Sequence, residues 1–369
     1  MKFAHKKPIG ISVFLGIVIA FALSSPLIFT KIPALISFPE YAGGIGTVFS
    51  IMSPFIAIAA VIATFAAFWI QYNANQEMLR NNEKMQIERQ FYEMLKIHEE
   101  NTKYLGMKKW MMSGIENKIS TSITDRISSS LGPKYDLVEL KGHDATEFYL
   151  KEFEVIDLLL EYFAEKYQKE QYVKLAKVSR KDWLKRVYRI FYYGIEAVKW
   201  KDSHYNEKLY EYQYKNMVNV QQMCSSIHPY QVEKELKDIY TPVMGTIILD
   251  GHSSQMNHYY RHLYLLVKYV VNIDDDLYGS SEDAYSAKRN YLRILRAQLS
   301  NTEQLLLFYN WLSNHGQKWE CIENHFFSDY RMIHNIWPNG RNRYNQVSLR
   351  TLFPEHIKGD GPMFEFEEQ

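Results

Sequence analysis

The chain opens with two apolar runs that contain no charged residue. The first, PIGISVFLGIVIAFALSSPLIFT, covers residues 8–30, and the second, GTVFSIMSPFIAIAAVIATFAAFWI, covers residues 46–70. A helix needs roughly 20 apolar residues to cross the hydrocarbon of a bilayer, so each run predicts a transmembrane span. Lys2, Lys6 and Lys7 give the first run a basic start, as in a signal peptide, but its apolar stretch is longer than a usual signal core. Past Pro54 the sequence has no glycine or proline until Gly106 and is rich in helix formers. The second span is therefore expected to continue as one long helix, with Ile87, Phe91, Met94, Leu95 and His98 forming a stripe that docks on the cytosolic domain. A coiled-coil dimer is the weaker alternative, because Asn81 and Glu88 interrupt the heptad that Met78, Met85 and Tyr92 begin.

Residues 106–142 lose this periodicity in favour of Ser, Thr, Gly and Pro, which predicts an irregular or flexible insert. Its MKKWMM stretch, with Trp110, reads as a surface patch ahead of a lipid contact. From Asp144 the helical period returns. Phe148, Phe153, Ile156, Leu159, Leu160 and Phe163 share one face of an acidic helix, and a basic helix with Lys181, Lys185, Arg186 and Arg189 follows from Ser179. Two further helical regions, HYYRHLYLLVKYVV and AYSAKRNYLRILRAQLSNTEQLLLFYNWLS, precede a shorter one near Trp319. Strand patterns are scarce. The expected fold is all-α: two N-terminal transmembrane helices, a long connecting helix and a cytosolic helical domain. The corresponding divisions are a transmembrane hairpin at 1–75, a connector at 76–105, the insert at 106–142, the helical domain at 143–335 and an irregular tail at 336–369.

Charge changes this picture mainly by orienting it. Three lysines precede the first span, Lys31 alone lies in the linker, and Arg80, Lys84 and Arg89 follow the second. Positive flanks stay cytoplasmic, so both the N-terminus and the C-terminal domain are expected inside a bacterial cytoplasmic membrane. With 43 basic and 42 acidic residues the chain has no overall pull toward nucleic acid, and the basic helix lacks an RNA-binding motif or an aromatic-basic platform. Cys224 and Cys321 have neither a CxxC nor a Cys/His spacing, so neither a zinc site nor a disulfide framework is suggested. Walker, Rossmann, GxSxG and kinase motifs are absent as well.

Candidate chemistry gathers in HYYRHLYLLVKYVV. On a helix His258, Arg261, His262 and Lys268 share a side, while Tyr259, Leu263, Leu266 and Val270 face another. His258 and His262 have the spacing of paired zinc ligands, but the HExxH glutamate is missing and Arg261 repels a cation, so no metal or cofactor is expected. Arg261 and His262 are the catalytic candidates for metal-free phosphodiester chemistry, although their spacing does not fit the HEPN ribonuclease motif. In LRAQLSNTEQ, Ser300 and Glu303 form a capping box that ends one helix and starts another. Arg293, Arg296 and Gln298 lie just ahead of that joint, where they can meet free carbonyls. The polar cluster to be located is thus His258, Arg261, His262, Arg293, Arg296, Gln298, Ser300 and Glu303.

At these residues the chain resembles the AbiC-type phage abortive-infection family. The motifs that carry the resemblance run in family order: FYEMLKIHEE, KGHDATEFYLKEF, HYYRHLYLLVKYV, YLRILRAQLSNTEQLLLFYNWLS and IENHFFSDY. One departure concerns Gly142 and His143, where the family usually has a Gly-Arg pair. The resemblance implies a membrane-anchored antiphage protein that arrests or kills the infected cell. A non-enzymatic, membrane-linked mechanism is the primary expectation. A membrane-tethered, HEPN-like ribonuclease using Arg261 and His262 is the alternative. Expected partners are the lipid bilayer, a phage protein or other infection signal, and a second copy of the chain; nucleic acid is disfavoured.

Overall fold

The computed structural model describes residues 16, 20, 44–112, 135–175, 178–199, 207–224, 236, 238–239, 243, 246–336, 349–354 and 357–368. Among them are seven α-helices and one two-stranded antiparallel sheet. Helix α1, Gly44–Lys103, runs unbroken for 60 residues and contains Pro54. One helix among the described residues is long and apolar enough to cross a membrane, and it is this one. The fold expectation had two such helices; the first apolar run, 8–30, lies outside the described residues except at positions 16 and 20.

The chain forms two compact units, residues 1–90 and 91–369, so the division falls inside the expected connector. In the first unit Phe55, Ile58, Val61, Phe65, Phe68 and Trp69 are exposed along the helix.

The second unit is built around α2, His143–Gln171. Its buried positions Tyr149, Phe153, Ile156, Leu160, Phe163 and Tyr167 recur at intervals of three and four, giving one face that packs and one that is wet. Against it lie α3, Arg180–Tyr193, and α4, Glu207–Cys224. Helix α3 starts at Ser179, whose hydroxyl accepts from the Asp182 amide at 3.1 Å. The acidic face of α2 does meet the basic helix, through a buried fork: Asp157 accepts from Arg180 Nη1 at 3.0 Å and from Trp183 Nε1 at 2.6 Å. Arg186 turns inward, donates to Gln213 Oε1 at 2.6 Å and stacks over Tyr210.

Helices α5, Ser253–Val271, α6, Ser281–Gln298, and α7, Asn301–Leu312, complete the bundle. The α6–α7 break falls at Leu299, which is extended, and α7 begins at Ser300 with the full capping box. The uninterrupted apolar pattern across this joint is explained by α7, which is buried at every position from Glu303 to Asn310.

The two described ends of the expected insert, residues 106–112 and 135–141, are strands and not irregular. Strands β1, Gly106–Met112, and β2, Tyr135–Lys141, pair antiparallel from Gly106 opposite Lys141 to Met112 opposite Tyr135. A bridge from Lys109 to Thr246 extends the edge of β1. Pairing across some thirty residues leaves no mark in a local period, which is why the sequence read as loop. Residues 113–134 and the Trp110 side chain lie outside the described residues. In the expected tail the described residues include two short 3-10 helices, Arg350–Leu352 and Glu365–Glu368, and Phe353, Met363 and Phe364 are buried.

Candidate functional site

Helix α5 is positioned by two glycine backbones pressed together. Gly194 follows α3 with φ +87°, and Gly251 precedes α5 with φ +84°. A Cβ on Gly251 would fall 2.5 Å from the Gly194 nitrogen, so neither site admits a side chain without moving backbone. The crossing is closed by His252 N donating to Tyr192 O at 2.9 Å and Ile195 N donating to Leu249 O at 2.7 Å. Beneath it Glu152, fully buried on the apolar face of α2, accepts from Leu249 N at 2.7 Å and lies 2.7 Å from His252 Nε2. The Tyr149 and Phe191 rings flank that imidazole at 4.3 and 4.9 Å. Sequence reasoning missed Glu152 and His252; the available signal was a carboxylate in register with Tyr149, Phe153 and Ile156.

One side of α5 faces the end of α1 and the start of α7. The His262 ring stacks on His98 with centroids 6.0 Å apart and an interplanar angle of 9°, and Tyr259 packs on His98 at 5.1 Å. His98 is buried, and neither of its ring nitrogens has a hydrogen-bond partner among the described residues; the same holds for His262 Nδ1 and Asn101 Nδ2. Burial, with His262 adding to it, pushes the His98 imidazolium down to about 4. His262 is lowered by burial and then by His258. Both rings are neutral at pH 7. From the same helix Tyr259 donates to Glu303 Oε1 at 3.0 Å, while Glu303 Oε2 accepts from Ser300 N at 2.8 Å. His143, where the sequence departs from the family pattern, brings Nδ1 to 3.2 Å from Glu303 Oε2. The capping carboxylate is thus the hub joining α2, α5 and α7.

Arg261 turns elsewhere. It is exposed and lies near Tyr192, whose hydroxyl donates to Asn257 Oδ1. Burial and Tyr193 push the Tyr192 phenol up to about 12, and the Arg261 charge works against that rise. Arg261 and His262 therefore have different neighbours, Tyr192 for one and His98 for the other, and His258 stays exposed.

The arginines of α6 form a separate group. Arg296 donates to Arg331 O at 3.0 Å, and burial followed by Arg289 and Arg293 lowers its pKa to about 10. Arg331, almost wholly buried with φ 60°, donates Nε to Pro362 O at 3.0 Å, Nη2 to Gly361 O at 3.1 Å and Nη1 to Ser328 O and Asp329 O. It ties the C-terminal segment to the bundle. Arg293 and Gln298 are exposed. Of the expected cluster, then, His262, Ser300 and Glu303 lie around one locus through His98 and Tyr259, whereas Arg261 and the arginine group face other surroundings. Among the described residues no three His, Cys, Asp or Glu side chains are grouped to hold a metal ion.

No curated protein and no solved structure matches the chain. Residues 251–339, from the Gly251 contact through α5, α6 and α7 to just past Ile336, match the family model described as "Putative phage abortive infection protein", so the AbiC-type resemblance carried by the ordered motifs is borne out over this segment.

Proposed function

We propose that this protein is a membrane-anchored phage-defence protein whose helical domain responds to infection and brings about arrest or death of the infected cell. The family match over residues 251–339 carries the reading. The apolar part of α1 supports the anchor, because exposed Phe, Ile, Val and Trp side chains over more than four turns are stable in lipid and costly in water. The lysines and arginines flanking the two apolar runs support a cytoplasmic N-terminus and a cytoplasmic domain at the bacterial inner membrane. Signal transfer has a physical route in this reading: His98, near the end of the helix that carries the apolar run, packs on Tyr259 and His262 of the family segment. A displacement of α1 would disturb neutral, stacked rings, and among the described residues neither His98 nitrogen has a hydrogen bond to hold its ring.

The experiment is a phage challenge of cells carrying the full chain, the chain lacking residues 1–70, and a version in which those residues are replaced by an unrelated two-span anchor, all at matched abundance. Protection by the full chain and by the re-anchored chain, with loss in the truncated one, is expected. Undiminished protection by a soluble truncated chain would remove the membrane from the account.

A further inference from the structure

The basic side of α6 is the part of the polar cluster to which neither the family match nor the proposed function assigns a role. From Ala284 to Gln298 the helix carries Lys288, Arg289, Arg293 and Arg296 and no acidic residue. Lys288 is buried and paired with Asp275 at 2.6 Å. The three arginines follow one another at intervals of four and three, so they lie along one side with neighbouring Cβ atoms roughly 5–6 Å apart. Like charges at these spacings repel, and the row is by itself a cost to the helix.

Two of the three are fixed by segments beside α6. Arg296 Nη1 donates to Arg331 O at 3.0 Å, which occupies one of its five N–H groups. Arg289 lies on the bare backbone of residues 359–361. A Cβ on Gly359 would fall 2.9 Å from Arg289 Nη1 and one on Gly361 3.9 Å from Nη2, and both glycines have positive φ. Arg293, between the two, is exposed. Burial, and then Arg289 and Arg293, lower the Arg296 pKa to about 10, in keeping with three guanidiniums on one side; Arg296 is still a cation at pH 7. Glu365 acts on Arg296 in the opposite sense, and its carboxylate also accepts from Asn335 Nδ2 at 2.9 Å. The tyrosines of α6 are engaged with other segments: Tyr291 packs on Phe91 at 4.9 Å, and Tyr285 meets Tyr330 at 5.6 Å with the Lys358 ammonium 4.6 Å from its ring. What α6 presents here is guanidinium rather than aromatic face.

We propose that Arg289, Arg293 and Arg296 form a binding site for the oligophosphate group of a soluble ligand. The row spans seven residues of helix, about 10 Å, which suits an anion with several charges in line. Planar guanidinium forks match phosphate oxygens two at a time. Arg293 reaches the ligand from the exposed middle of the row, and Arg289 and Arg296 flank it from fixed positions. Recognition rests on the phosphates, so an inorganic triphosphate and a nucleoside triphosphate bind alike.

The test is isothermal titration calorimetry on the full chain in detergent micelles at physiological ionic strength, with inorganic triphosphate, ATP, inorganic phosphate and sulfate as probes. Saturable binding of triphosphate and of ATP is expected, with affinities within about threefold of each other, and phosphate and sulfate weaker by about tenfold or more. Arg293→Lys keeps the charge and loses the fork, and should weaken triphosphate binding about tenfold; Arg293→Gln should weaken it further. Lys174→Gln, an exposed cation elsewhere, should change nothing. Because Arg293 is exposed, its variants should melt as the unaltered chain does without ligand, which separates lost binding from lost fold. The full chain in nanodiscs of phosphatidylcholine, with and without about one third phosphatidylglycerol, distinguishes soluble phosphates from lipid headgroups; equal triphosphate affinity in both is expected. Loss of triphosphate binding in the anionic discs would show that headgroups occupy the row and would overturn the proposal. So would the absence of triphosphate binding in micelles, or an Arg293→Lys chain that binds as tightly as the unaltered one, since that is attraction to charge alone.

Discussion

Glu303 and Tyr259 offer the sharpest test of how the family segment is held together. Glu303 is 3% exposed and its carboxylate has three neighbours: the Ser300 amide at 2.8 Å, the Tyr259 hydroxyl at 3.0 Å and His143 Nδ1 at 3.2 Å. Tyr259→Phe removes one hydrogen bond to a charged acceptor that keeps its other neighbours, a loss of about 1.5 kcal/mol. Glu303→Ala removes that bond, opens the capping box for about 1 kcal/mol, and leaves the Tyr259 hydroxyl buried without an acceptor for about 1–3 kcal/mol more. The single glutamate variant should therefore lose roughly 4 kcal/mol. In the double variant the shared bond is lost once and no hydroxyl is stranded, so its loss falls short of the sum of the singles by about 3 kcal/mol. Burial, and then Glu303, hold the Tyr259 phenol well above its ordinary pKa, so it remains a donor across the accessible pH range. Pulse proteolysis of the full chain in detergent across a urea series measures the four stabilities. Losses that add to within about 0.3 kcal/mol would show that hydroxyl and carboxylate share no bond, and would refute the hub.

The remaining predictions concern the same framework. His98 is held near 4 in the folded chain against 6.5 when unfolded, so below pH 6.5 the unfolded chain binds the extra proton. Stability should fall as pH drops from 6.5 toward 4, by about 3 kcal/mol in all, and His98→Phe should flatten that part of a melting-temperature profile. Gly251→Ala places a Cβ 2.5 Å from the Gly194 nitrogen at a positive φ, and should cost about 3 kcal/mol, read as a melting temperature lowered by some 6–12 °C. Arg331→Lys cannot reproduce a fork that serves carbonyls of residues 328, 329, 361 and 362, and should cost about 2–4 kcal/mol. Limited trypsin digestion should then cut at Lys358 while the bundle stays intact; an uncut tail would show that Arg331 is not its clasp.

Local features of this chain were legible where one element contains its own cause. The α6–α7 break is an example: Ser300 and Glu303 satisfy each other's backbone amides within four residues, so the stop is written in the sequence whatever surrounds it. The long helix through residue 103 agrees likewise with the absence of breakers after Pro54. Features that needed three dimensions were illegible. The β1–β2 pairing joins segments separated by more than twenty residues, and Glu152 reaches His252 across a hundred positions. Helical spacing put Arg261 and His262 on one side of α5, but neighbouring positions differ by about a hundred degrees, and that angle suffices for different neighbours. His262 meets His98 on α1, whereas the Arg261 charge acts on Tyr192 of α3. The periodicity could name the helix and its polar side, and only the packed helices around it could divide that side into two.

The central claim is that this chain protects a population by sacrificing the infected cell, and the dependence on phage dose tests it most directly. Cultures expressing the full chain should grow through a challenge at few phages per cell and collapse or stop growing when every cell is infected, with progeny per infected cell sharply reduced in both. Infected cells that go on dividing at high dose while phage production is blocked, or a progeny yield equal to that of cells lacking the protein, would contradict the account.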